Sequence, residues 1–169
     1  MATNLRTQDR LQPALLDRLT DDAPAVASEA GEARVINRHR LRELVLRDLA
    51  WLFNTTAPSD DPAWATAPHA RRSVLNYGLP ALSGRSASGV DLQKLCARIR
   101  QAILDHEPRI LPATLVVEER MSAAQLDHHN LIGFRISGQL WAQPVPLELL
   151  LHTNIDLETG RVSVRELER

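Results

Sequence analysis

Near Pro112 the hydrophobic pattern of this chain changes from the period of a helix to the alternation of a strand, and that change limits the folds open to it. Upstream, Leu92, Leu95, Cys96, Ile99 and Ile103 fall at i, i+3, i+4, i+7 and i+11, one apolar stripe of an α-helix. Leu41, Leu44, Val45, Leu49 and Leu52 form a second stripe behind Asn37, a suitable N-cap, with Glu43 placed to pair with Arg47. Downstream, Ile132, Phe134, Ile136 and Leu140 alternate with Gly133, Arg135, Ser137 and Gln139. Leu147, Leu149, Leu151 and Ile155 repeat the pattern, and Thr159-Gly160 turns the chain into Arg161–Arg165. The spacing predicts strands near 113–120, 130–141, 147–156 and 161–166. Helices first and strands later make the fold class α+β: N-terminal helices followed by a small antiparallel β-meander packed against them.

The 169 residues are enough for one domain with a core and an appended arm. Leu11, Leu15, Leu16 and Leu19 form a short stripe in which Pro13 suits a first turn, so 1–22 reads as an N-terminal docking helix. Between Ala23 and Ala33 the composition falls to Ala, Glu, Ser, Gly and Pro with little apolar bulk, and 23–34 reads as a flexible linker. The main body is 35–169. Its first helix enters through Arg34, Arg38, Arg40 and Arg42, cations at the helix end that prefers anions, which suits either a solvated face or an acidic partner. Thr56 to Pro68 is a prolyl loop that Trp64 is expected to tack to the body, and a short helix over 71–76 is expected to end at Gly78. Ser88 and Asp91 have capping-box spacing at the head of the later helix.

Twenty basic residues against twenty-one acidic ones give a formal charge of −1, so no global field draws the chain to nucleic acid or an anionic membrane. Cys96 is in phase with a buried stripe and suits a reducing cytoplasm. No stretch approaches the roughly 18 apolar residues of a membrane span, and the start has no apolar signal region, so the expectation is a soluble chain that is not exported. Catalytic motifs are missing: there is no GxSxG, P-loop, HExxH or paired cysteine. Asp127-His128-His129 lacks a second ligand cluster and reads as a solvated loop, so neither metal nor cofactor is expected. Glu107, Glu118 and Glu119 do not form a glycosidase pair, because adjacent strand residues face opposite ways and six aromatic residues offer little stacking for sugar. No catalytic residue is assigned.

Glu107-Pro108-Arg109 is the exception to an otherwise ordinary sequence. Proline stops the helix, which leaves a carboxylate at the negative end of the macrodipole, a placement that costs about 0.3–1 kcal/mol unless a cation compensates. From the residues alone it is either an incidental local ion pair or a recognition site.

Several segments together resemble one family. Leu15-Leu16-Asp17-Arg18-Leu19-Thr20-Asp21-Asp22, Leu46 to Thr55, Arg71 to Pro80, Glu107-Pro108-Arg109 and Leu140 to Pro146 occur in the order and spacing of the TssE baseplate subunits of type VI secretion. Relatives of that family include the lysozyme-like baseplate wedge protein of contractile-tailed phages. The resemblance implies a non-catalytic, cytoplasmic component assembled at the cytoplasmic side of the inner membrane. It also implies that Glu107, Pro108 and Arg109 dock on the core bundle of the baseplate wedge, and that the small sheet initiates the contractile sheath. Sheath subunits would then add a strand along Val162, Ser163 and Val164 on the terminal edge. A peptidoglycan-cleaving muramidase and a small regulatory adaptor are the alternatives, and neither nucleic acid nor membrane insertion is expected.

Overall fold

Asn37 starts the first long helix as its pattern predicts. Its side chain accepts a hydrogen bond from the Arg40 amide at 2.7 Å, and the helix α2 runs Arg38–Phe53. The computed structural model describes residues 14–20, 25, 36–58, 62–84, 89–120 and 130–167. Before α2 lies α1, Leu15–Leu19; between α2 and the next long helix lies α3, Pro68–Arg71; and α4 spans Leu92–His106. The strands are β1, Val116–Glu119; β2, Leu131–Leu140; β3, Leu147–Asp156; and β4, Val162–Glu166. They form one antiparallel sheet in the order β1-β2-β3-β4, the meander expected from the alternation. Helices followed by strands confirm the α+β class.

The register puts Ile132, Phe134, Ile136 and Leu140 of β2 on the same face as Leu149, Leu151 and Ile155 of β3. Leu41, Val45, Leu49 and Leu52 of α2 and Leu95, Ile99 and Ile103 of α4 close over that face as one buried core. Each large side chain so buried contributes roughly 1.5–3 kcal/mol, which is what holds the helices to the sheet.

Local details depart from the sequence expectation. Glu43 does not pair with Arg47: it sits beside Arg40 at 3.1 Å and His39 at 3.5 Å, because Arg47 is engaged by two other carboxylates. Asp91, rather than Ser88, caps α4 by accepting from the Lys94 amide at 3.0 Å; Ser88 lies outside the described residues. The helix expected over 71–76 is split into α3 and a 3-10 turn, Val74–Asn76. Gly78 is not a helix terminator but a close-approach residue. At φ +124° its Cα passes so near Thr55 that a Cβ would lie 2.3 Å from the Thr55 carbonyl oxygen, where Thr56 and Leu79 form a parallel bridge. The Trp64 indole donates to the Pro58 carbonyl, so it ties the loop to itself. The first strand starts at Val116 instead of 113 because Pro112–Thr114 forms a 3-10 turn. Apart from Ala25, the linker 23–34 lies outside the described residues, as do Arg34, Leu11, Pro13 and Asp127-His128-His129. No described helix is long and apolar enough to cross a membrane.

Candidate functional site

Pro108 stops α4 at His106 and leaves Glu107 as its C-cap, with the Glu107 amide donating to the Ile103 carbonyl at 2.8 Å. The chain then runs straight onto the end of the sheet. Leu111 donates to the Gln139 carbonyl, Trp141 donates to the Arg109 carbonyl at 2.7 Å, and Ile110 bridges Leu140. Both halves of the motif are thereby fixed, one by the helix and one by β2.

Glu107 is 4 % exposed, so its charge needs partners on the spot. Arg109 supplies them. Its Nε donates to Oε1 at 2.7 Å, its backbone amide to the same oxygen at 3.1 Å, and its Nη2 to Oε2. This compensates the carboxylate at the negative helix end. Arg109 also reaches 61 residues back, donating through Nη2 to Asp48 of α2. Asp48 in turn accepts from Nε and Nη2 of Arg47, at 2.9 and 2.7 Å, and the Nη1 of Arg47 donates to Asp17 of α1 at 2.6 Å. Glu107, Arg109, Asp48, Arg47 and Asp17 thus form a ladder of alternating charge that joins the exit of α4, the middle of α2 and α1. Asp17 Oδ2 is shielded at the far end without a hydrogen-bond partner.

Burial works against the charge on Arg109, but hydrogen bonding to Glu107 and Asp48 outweighs it and holds the guanidinium pKa above its ordinary value. Arg47 shows the same balance, with burial opposed by Asp17 and Asp48. Tyr77 packs edge-on against His106, with ring centroids 5.1 Å apart, and its hydroxyl lies 3.5 Å from the Asp48 carbonyl. Burial, then the Asp48 and Glu107 charges, push that hydroxyl up, so it stays neutral at physiological pH. Two tryptophans lie beside the ladder: the Arg47 guanidinium stacks over Trp51 at 4.7 Å, and Trp141 follows the strand that receives Arg109. They are 49 % and 56 % exposed.

At the other edge of the sheet, Val162, Ser163 and Val164 lie on β4 as expected. Asp156 donates to the Arg161 carbonyl and Leu167 to the Leu150 carbonyl, which sets the alternation of the ladder between them. Ser163, opposite Asn154, therefore turns its amide inward to β3, and the outward groups belong to Val162, Val164 and Glu166. Those of Val162 are already occupied: its amide donates to Asn54 Oδ1 at 3.0 Å, and its carbonyl accepts from Asn54 Nδ2 at 2.9 Å. At the opposite edge α4 overlies β1, where the Glu119 amide turns toward Cys96. Burial, then the charges of Glu119 and Glu118, push the Cys96 thiol up, which suits a packed residue rather than a nucleophile. Glu118 and Glu119 are exposed on opposite faces of β1, and no group of three metal-ligating side chains occurs among the described residues.

The sequence marked Glu107 and Arg109 but missed Asp48, Arg47 and Asp17. Local spacing alone matches Arg47 to Glu43, and contacts across 61 and 30 residues leave no periodic trace. The available signal was that Asp17 lies in Leu15–Asp22, and Arg47 and Asp48 in Leu46–Thr55, two of the segments that carry the family resemblance.

The fold is a helix pair backing a four-stranded antiparallel meander, an α+β scaffold that carries the charge ladder at the exit of α4. The chain belongs to the family of baseplate wedge protein gp25, whose family model matches residues 39–145. That match takes in α2, α4, the Glu107-Pro108-Arg109 corner and β2, and stops ahead of β3. No curated protein and no solved structure matches the chain.

Proposed function

We propose that this protein is a non-catalytic structural component of a type VI secretion baseplate, a TssE-like subunit that docks on the wedge core bundle and starts the sheath. The observation that carries the reading is the Glu107–Arg109–Asp48 cluster, which lies within the family match; Asp48 also holds Arg47, which stacks on the exposed Trp51, and the Arg109 carbonyl accepts from the amide of the exposed Trp141. Tryptophan and arginine anchors of this kind dominate protein interfaces. Both carboxylate oxygens of Glu107 accept from Arg109, so the side chain is committed to an ion pair and not free to act as an acid or base on a sugar.

Sheath initiation is assigned to the outward edge of β4. There Val164 and Glu166 offer backbone groups to an added strand, beside Val162, whose groups Asn54 holds. Residues 1–22 act as an arm, 23–34 as its linker and 35–169 as the body, working on the cytoplasmic side of the inner membrane.

Reconstitution tests the reading. The purified chain should form a stable complex with wedge core-bundle proteins, and sheath subunits should polymerise on that complex but not on the wedge proteins alone. Peptidoglycan turnover by the purified chain, lost on Glu107→Gln, would instead support the muramidase alternative.

A further inference from the structure

Asn54 ends α2 with its side-chain amide laid along the outer edge of β4, where it does what a neighbouring strand would do. Oδ1 accepts from the Val162 amide at 3.0 Å and Nδ2 donates to the Val162 carbonyl at 2.9 Å, so one side chain satisfies both outward groups of that residue. Nδ2 also donates to the Ala50 carbonyl at 2.8 Å, which orients the amide from the helix side. The next residue is pinned as well. The Thr55 carbonyl accepts from the Leu79 amide at 2.9 Å, and the Thr55 hydroxyl donates to the Trp51 carbonyl at 2.8 Å. Capping α2 does not call for the bonds to Val162, because the Asn54 backbone amide closes the last turn on the Ala50 carbonyl at 3.1 Å.

We propose that Asn54 is an edge guard: by standing in for a strand at Val162 it confines strand addition to the Val164–Glu166 half of β4 and stops two copies of this chain from pairing edge to edge. The partner excluded is read from the register. The outward groups belong to Val162, Val164 and Glu166, which are symmetric about Val164, so two antiparallel copies of β4 match on a two-fold axis at that residue. In that match Val164 faces Val164, and Val162 of each copy faces Glu166 of the other. Ser163 of each copy faces Arg165 of the other, so no like charges oppose the pairing. With Asn54 in place only the central pair can close; without it the flanking pairs close too. An unguarded edge of this kind is a template for association. The guard also deepens the strand addition assigned above, and rests on that assignment for the identity of the added strand, whose register would be set by ending at Val164. The self-pairing of two copies does not depend on it.

Sedimentation and amide exchange of the full-length chain test this. Asn54→Ala should self-associate at least about tenfold more tightly than wild type, since each flanking pair adds backbone hydrogen bonds. Its Val162 and Val164 amides should gain protection as concentration rises, a change that loss of a helix cap would not produce. Adding Val164→Pro, which removes the central donor, should return the chain to wild-type behaviour. Asn54 is exposed and outside the apolar core, and Asn54→Gly removes the same amide with a residue suited to a helix end, so the test does not hang on one variant. Wild-type self-association in the folded variants, or association that survives Val164→Pro, would overturn the proposal. So would failure of both Asn54 variants to fold, which would make the residue a structural cap. If the wild-type chain fails to nucleate sheath while Asn54→Ala self-pairs, the strand-addition assignment falls and the guard stands. Unchanged self-association in Asn54→Ala, beside a wild type that nucleates sheath, sinks the guard alone.

Discussion

Glu107 and Arg109 look like a pair of neighbours in the sequence, but the structure makes them the end of a longer ladder, and this changes what a substitution should do. An exposed ion pair at a helix exit could be deleted with a cost of about 1 kcal/mol or less. Glu107 is instead buried, and removing it leaves Arg109 with Asp48 as its remaining carboxylate. Glu107→Ala should therefore destabilise the fold by about 3 kcal/mol, read as a lower urea midpoint with an unchanged slope. A folded Glu107→Ala with the wild-type midpoint would show the pair to be incidental after all. Double substitution with Arg109→Ala should cost less than the two singles combined, since both remove the same contact. Asp156 offers a separate test by titration. Its carboxylate accepts from the Thr159 hydroxyl at 2.7 Å and from the Glu158 amide at 2.8 Å, which lowers its pKa. What this contributes to stability is present above the ordinary carboxylate range, about pH 4, and is lost as pH falls through the lowered folded value. The Asp156 carboxyl resonance should titrate below that range, and Thr159→Val should move it back up.

At the scale of elements, the meander was the most legible feature of the sequence, because alternation with one buried face is a local signal that tertiary contacts reinforce. Strands β2 and β3 occur where the alternation of Ile132–Leu140 and Leu147–Ile155 places them. The two long helices were equally legible from their stripes and from Pro108. What stayed hidden was non-local: the Arg109–Asp48 contact, the Asn54 clamp on Val162, and the approach of Gly78 to Thr55. The ladder alternation and the Asn54 clamp together decide which proline substitution tests this edge. Ser163→Pro would remove a donor inside the β3–β4 ladder and should lower stability, whereas Val164→Pro removes an outward donor. If β4 templates the sheath, Val164→Pro should retain wild-type circular dichroism and wedge binding but fail to nucleate sheath. Normal sheath growth on the folded Val164→Pro variant would place the template elsewhere.

Across the whole molecule, α1 is held by very different means from the longer helices and the sheet. The helices and sheet share one apolar core, while α1 meets α2 through Asp17 and Arg47 and leaves Leu15, Leu16 and Leu19 at 68 %, 50 % and 73 % exposure. A five-residue helix has little stability of its own. Deleting 1–22 should thus change the unfolding free energy by about 1 kcal/mol or less, whereas Ile103→Ala, in the core, should cost about 2–5 kcal/mol. Wedge binding should weaken in the deletion if the exposed leucines serve as an arm. The most direct test concerns the corner itself: the affinity of Arg109→Lys and Trp141→Ala for purified wedge core-bundle proteins, measured by calorimetry on chains whose circular dichroism matches wild type. Lysine keeps the charge of Arg109 but loses the fork that joins Glu107 to Asp48, and Trp141 is exposed, so each should bind at least about tenfold more weakly. Wild-type affinity in both folded variants would contradict the assignment of the corner as the docking site.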